Sequence, residues 1–181
     1  MNNLCTESKN SLQPKIYIAD LAAYNNGYLH GEWVDATLEV EEIEEKIEEI
    51  LANSPVLEEA EEYAIHDYSD FGGLKLGEYP DLNEIVEIAQ FISEHEELGI
   101  ELINYYGDVE TAYEAIENNY CGEYESVADF AEELTEETIS KIPENLHSYI
   151  DYQRMGRDLE LSGDITTFEL GFQEIHIFWS R

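Results

Sequence analysis

Two hydrophobic periods alternate along the chain, and each change of period marks an element. Lys15-Ile16-Tyr17-Ile18-Ala19 reads as a strand, and residues 28–36, which hold Trp33 and Val34, as a second. Between them Tyr24-Asn25-Asn26-Gly27 is a turn signal, because Gly accepts a positive φ. Thr37 is placed to cap a helix. Over residues 41–52 the apolar positions Ile43, Ile47, Ile50 and Leu51 stand at i, i+4, i+7 and i+8, one helical face, and Glu41, Glu42, Glu44, Glu45, Glu48 and Glu49 cover the others. Tyr63-Ala64-Ile65-His66-Asp67-Tyr68 is a further strand, closed by Gly72-Gly73. The polar residues 1–13, ended by Pro14, predict a disordered arm.

From there the period is helical. Asp81 with Glu84 has the spacing of a capping box ahead of the stripe Ile85, Ile88, Ala89, Ile92. Gly99 is the expected break before Leu102, Ile103 and Tyr106, and Gly107 the next. Asp108 is placed to cap a helix carrying Val109, Ala112, Tyr113 and Ile116. Ser126 with Asp129 is another start signal, ahead of Val127, Phe130, Ala131 and Leu134. Pro143 separates that helix from one over residues 144–161, Gly163-Asp164 makes a turn, and residues 165–170 and 174–179 form a closing hairpin through Gly171. No internal repeat is evident. The expected fold is α+β: after the 1–13 arm, an elongated chain of three small modules, namely a β-β-α-β unit over 14–75, an acidic helical bundle over 76–119, and helices plus a C-terminal β-hairpin over 120–181. The hairpin gathers Ile175, Ile177, Phe178 and Trp179.

Charge changes the picture more than hydropathy does. Forty-three Asp and Glu face eight Lys and Arg among 181 residues, a net charge of −35 and a pI near 4.1. Residues 47–140 hold 27 carboxylates and a single cation, Lys75, and residues 76–140 hold no Lys or Arg at all. Ordinary surfaces intersperse both signs, since crowded like charges repel. Yet 43% of the residues are hydrophobic, enough to bury a core, so the chain folds in spite of its charge. Direct nucleic-acid binding and anionic membranes are excluded, because both need cations on the protein. Cations and basic proteins are the partners that fit, histone-like proteins or the DNA-binding grooves of other proteins among them. Neither a basic leader with an apolar run nor an 18-residue apolar span is present, so a cytoplasmic protein is expected.

Candidate chemistry is sparse. Acid–base catalysis needs one carboxyl of raised pKa beside one that stays ionised, and nothing singles out such a pair among 43. Asp67, Asp70 and Gly72 are the nearest approach to a calcium loop, but the remaining ligand positions are missing. His30, His66, His95, His147 and His176 are scattered, and Cys5 and Cys121 make neither a metal knuckle nor a disulfide framework. Phosphate loops and nucleophile elbows are absent. A non-enzymatic protein without metal or cofactor is expected. The acid, by contrast, belongs to the whole chain. Duplex DNA carries one charge per ~1.7 Å, so 43 carboxylates match about 70 Å of duplex, or about 20 base pairs. A protein of that charge density fits grooves that DNA occupies. Salt adaptation and an acidic chaperone-like binder of basic DNA-binding proteins are the alternatives. Against them, the acid is uneven along the chain and sits on amphipathic helices rather than in tails. The candidate partner-binding carboxylates are Glu84, Glu87, Glu94, Glu101, Asp108, Glu114, Glu117, Glu132, Glu133 and Glu136.

Several separated blocks also resemble the ArdA antirestriction family. Lys15-Ile16-Tyr17-Ile18-Ala19-Asp20-Leu21, Tyr24-Asn25-Asn26-Gly27 and Gly31-Glu32-Trp33-Val34-Asp35 are similar to its N-terminal signature, and Tyr63-Ala64-Ile65-His66-Asp67-Tyr68 to its next segment. Tyr149-Ile150-Asp151-Tyr152, Gly156-Arg157-Asp158-Leu159-Glu160 and Gly163-Asp164 resemble its antirestriction motif. The resemblance covers about residues 14–181. Ser69-Asp70-Phe71 departs from the acid-Gly-Phe pattern expected there, and the arm before Pro14 has no counterpart. What the resemblance implies is a non-catalytic, homodimeric DNA mimic carried on mobile genetic elements, which occupies the DNA-binding site of type I restriction–modification enzymes, with the C-terminal module central to the dimer and its hairpin, Ile175, Ile177, Phe178 and Trp179, the candidate for burying surface at or near the interface. It singles out Tyr149, Asp151, Tyr152, Arg157, Asp158, Glu160, Gly163 and Asp164 as motif residues. A bland role competes for these: Asp151, Arg157 and Asp158 lie on or near one helix, where an ion pair would hold the fold or the dimer.

Overall fold

Ile16 and Ile18 alternate with half-buried neighbours in β1 (Lys15–Asp20), and both are fully buried. The structure is a computed structural model, in which residues 11–56, 61–76, 81–139 and 142–180 are described; all but the last three residues of the expected N-terminal arm lie outside them. It is an α+β fold. By its contacts the chain divides into two compact units, residues 1–104 and 105–181.

In the first unit β1 leads directly into a short helix, α1 (Leu21–Asn25), whose cap is the buried Asp20, accepting from the Ala23 N–H at 3.0 Å. The Asn-Gly signal therefore ends a helical turn instead of making a two-residue hairpin, with Gly27 at φ +82°. β2 (Gly31–Asp35) still pairs antiparallel with β1. α2 (Val40–Ala52) buries Ile43, Ile47 and Ile50 and packs on β1 and β2. Its cap is Glu39, not Thr37: the Asp35 carboxylate accepts both the Thr37 N–H and its hydroxyl, at 2.9 and 2.7 Å, and holds that residue in the preceding turn. The Glu42 carboxylate reaches back to the Glu39 N–H at 3.3 Å, as in a capping box. β3 (Tyr63–Ser69) completes a sheet of order β2-β1-β3, antiparallel throughout, with a register shift opposite Tyr17 and Ile18.

α3 (Leu82–Tyr106) starts where expected, although Asp81 accepts from the Asn83 N–H. Its break falls at Glu96 (φ +52°, ψ −132°), not at Gly99. Gly99 serves packing: a Cβ there would stand 3.2 Å from the Phe91 carbonyl oxygen and 3.2 Å from the His95 Cβ. A left-handed φ on a non-glycine residue costs on the order of 1–3 kcal/mol, which the surrounding buried Phe91, Ile92, Leu98 and Ile100 must hold in place.

The second unit begins with the last residues of α3 and α4 (Val109–Asn119), capped as expected by Asp108, which accepts from the Thr111 N–H at 2.7 Å. β4 (Tyr120–Tyr124) follows, a strand the hydrophobic pattern does not announce. α5 (Val127–Thr138) is capped by Ser126. The helix expected over 144–161 is two: α6 (Glu144–His147) and α7 (Tyr152–Ser162), the second restarted by Asp151. Gly163 ends α7 at φ +75°. β5 (Ile165–Gly171) and β6 (Glu174–Trp179) are the expected hairpin, and β6 is the centre of an antiparallel sheet β4-β6-β5. Successive residues of β6 serve two layers. Ile175, Ile177 and Trp179 join Phe130 and Ile165 in the core under α5. On the other face Phe178 meets Phe168 and Tyr120, with ring centroids 5.5 and 4.9 Å away. Ile177 and Phe178 are fully buried within the chain.

Candidate partner-binding surface

Helix periodicity forces the carboxylates outward, because the apolar stripe claims the inner face. All ten candidate residues are exposed. Glu84, Glu87 and Glu94 share one side of the first part of α3, and Glu101 follows the break. Asp108 caps α4, and its pKa is lowered first by the Thr111 backbone N–H and then by the Thr111 hydroxyl. Glu114 and Glu117 stand on α4 at i, i+3. Glu132, Glu133 and Glu136 lie on α5, and Glu133 has a local neighbour in Tyr124. Burial first, then the hydrogen bond to Glu133, pushes the Tyr124 phenol up to about 12.

The motif residues gather on α7 and its two ends. Tyr149 is exposed just before the helix. Asp151 accepts the Arg154 N–H at 2.9 Å, a helix cap. The Tyr152 hydroxyl is enclosed without a hydrogen-bond partner, and its pKa is raised by desolvation and by Glu132 and Glu136 of α5. Gly156 lets α7 sit close against the start of α5, since a Cβ there would stand 2.8 Å from the Val127 carbonyl oxygen. Asp158 pairs with Arg154, at 3.9 Å, where an ion pair among Asp151, Arg157 and Asp158 was expected; i to i+4 spacing favours the former. Arg157 is exposed. Glu160 accepts from the Thr167 hydroxyl at 3.0 Å, tying α7 to β5. Gly163 supplies the left-handed cap, and Asp164 accepts from the Ser162 hydroxyl at 2.6 Å and, through its carbonyl, from the Ser180 N–H at 3.0 Å.

Two features lie beyond those the sequence singled out. Arg154, the partner of Asp158, lines an open groove of about 670 Å³ with Asp151, Gln153, Arg157, Glu160 and the first residues of α5. In the first unit, Tyr17 and Trp33 face each other across β1 and β2, 5.5 Å between centroids. Period 2 puts Trp33 on the side of the sheet opposite the buried Val34, which is the signal that could have found it. Among the described residues no cluster of three His, Cys, Asp or Glu is placed to hold a metal ion, and no helix is long and apolar enough to cross a membrane.

Fold and surface together define an acidic α+β protein that presents helical carboxylates to solvent. No individually curated protein matches the chain. Residues 16–174 match the family described as Antirestriction protein (ArdA), and the chain belongs to that family. Membership carries an antirestriction function, exerted on restriction enzymes.

Proposed function

We propose that this protein is a DNA mimic that occupies the DNA-binding groove in the methyltransferase core of type I restriction–modification enzymes, acting in the cytoplasm as a non-catalytic homodimer. One observation carries the reading: ten carboxylates, on α3, α4 and α5 and at the cap of α4, are exposed, in a stretch, residues 76–140, that has no Lys or Arg. These carboxylates carry negative charge with no cation in the same stretch of chain, and a groove lined with Lys and Arg gains from them what it gains from DNA phosphates, including released counterions. Because Ile177 and Phe178 are used up inside the chain, the dimer contact draws on exposed apolar side chains of the same unit, such as Tyr149, Leu161 and Phe172.

The test is competition between this protein and a labelled duplex for a type I methyltransferase core. Displacement that weakens steeply with salt, and is matched by loss of restriction, is expected. Undiminished duplex binding at saturating protein sinks the proposal. Equal displacement of duplex from histones would favour the chaperone-like alternative.

A further inference from the structure

Only one face of the first sheet is covered by α2. Ile16, Ile18 and Val34 are buried there. The cross-strand register sets two rows on the opposite face: Trp33–Tyr17–Asp67 and Asp35–Lys15–Ser69. Trp33 is 47% exposed, Asp35 and Asp67 are exposed, and Tyr17 and Lys15 are half-buried. The aromatic pair is held in place by a glycine. A Cβ at Gly31 would collide with the Ile18 carbonyl oxygen and stand 3.1 Å from the Tyr17 ring, so that ring lies against bare backbone. An indole left half in water, with a phenol across from it, Asp35 two residues along its strand and Asp67 beyond the phenol, is not what a purely charge-based mimic needs. It is what a guanidinium needs: aromatic faces for its plane and carboxylate oxygens for its N–H edge. The net charge of −35 repels nucleic acid and anionic lipid and draws basic protein surfaces towards this face.

We propose that the open face of the N-terminal sheet is a docking platform for arginine side chains of a basic partner protein, with Trp33 and Tyr17 receiving the guanidinium plane and Asp35 and Asp67 its N–H groups. This rests on the reading that the partner is cationic and deepens it by naming the short-range chemistry. The acidic helices act at long range, treat Arg and Lys alike and are screened by salt. The platform acts on contact and distinguishes them, because an ammonium is more tightly hydrated and lacks a stacking plane.

The experiment uses the full chain with fluorescent nona-arginine and nona-lysine peptides, followed by anisotropy at moderate salt, together with inhibition of a type I enzyme. A tighter grip on the arginine peptide, by about two- to fivefold per stacked guanidinium, is expected. Trp33→Leu should bring the two affinities together while leaving that for nona-lysine unchanged, with the circular dichroism of the native protein. If Trp33→Leu fails to fold, fluorotryptophan-labelled native protein decides: the Trp33 resonance should move with nona-arginine and stay with nona-lysine. Equal affinities in the native protein overturn the platform, as does a preference that survives in Trp33→Leu. So does a Trp33→Leu effect on self-association alone, which assigns the face to a second copy. These outcomes leave the cationic-partner reading standing so long as both peptides bind with steep salt dependence. Failure of both peptides to bind, with the enzyme uninhibited, overturns that reading itself.

Discussion

A carboxylate at the start of a helix does two things at once: it accepts a backbone hydrogen bond and it adds negative charge. Asp151 does both at the head of α7, and substitution separates them. Asp151→Ala removes the cap and should lower stability by about 1 kcal/mol. Asp151→Asn keeps the acceptor and should cost only a small part of that, with inhibition close to native, because one charge of 43 is lost. Paired thermal melts and inhibition assays check this; an Asn variant that stays folded but no longer inhibits would assign Asp151 a direct contact. Tyr124 illustrates the opposite case, a group whose neutral form the fold prefers. Its phenol is raised from the ordinary 10 to about 12 by burial and then by Glu133. The folded state thus holds the proton more tightly than the unfolded chain. The stability this contributes is fully present below pH 10 and is lost as pH climbs through about 12. In an alkaline titration a late step of tyrosinate absorbance should appear near pH 12 and vanish in Tyr124→Phe. Superimposable curves for the two proteins would refute the assignment.

At the scale of elements, the packing of α7 on α5 turns on Gly156. With the Val127 carbonyl oxygen 2.8 Å and its carbon 3.0 Å from where a Cβ would stand, Gly156→Ala must push backbone, not a flexible side chain. Overpacking of this kind costs about 1–3 kcal/mol, so a clear fall in melting temperature is expected. An unchanged melt would mean that the helices separate freely. Such a close approach cannot be read from hydropathy, which only registers Gly156 as a gap in a helical pattern. The elements that were legible had uninterrupted periods or clear boundaries: the four isoleucine and leucine positions of α2, the capped stripe of α5, Ile16 and Ile18 two apart in β1, and the apolar runs of β5 and β6 separated by Gly171. Those that were not had their signal overridden by local geometry. β4 holds Gly122 at φ +135° with a register shift beside it, which destroys alternation. α1 is only five residues long and takes its cap from the buried Asp20, the last residue of β1. The break in α3 passes over the one glycine available, because Gly99 is needed against Phe91. The acidic surface was fully legible, since exposure follows from period and charge from composition. The motif's parts as cap, close contact and strand tie needed three dimensions.

On the proposed reading the carboxylates act together rather than singly, and their charge works on the fold and on binding with opposite signs. Inside the protein, like charges repel, and screening at moderate ionic strength relieves them, so added salt should raise the melting temperature. Towards a cationic groove the same screening removes attraction and the gain from released counterions, so binding should weaken over the range in which the fold strengthens. Distribution then separates a field from a discrete site. Exposed charges are individually worth little. Single changes Glu84→Gln, Glu87→Gln, Glu94→Gln, Glu114→Gln, Glu132→Gln or Glu136→Gln should therefore leave inhibition nearly intact, each removing one charge while keeping size and most hydrogen bonding. Combining them should weaken inhibition step by step, with the salt dependence growing shallower as each charge goes and the melting temperature rising as repulsion falls. That last coupling matters most. A catalytic or lock-and-key carboxylate would give a sharp loss at one position, without any general gain in stability, because members of a discrete site fail as a unit. A mimic should become more stable and less inhibitory together, in proportion to the charge removed. One charge-only substitution that abolished inhibition in a folded protein would break that proportionality, and the search for a discrete contact would start at that residue.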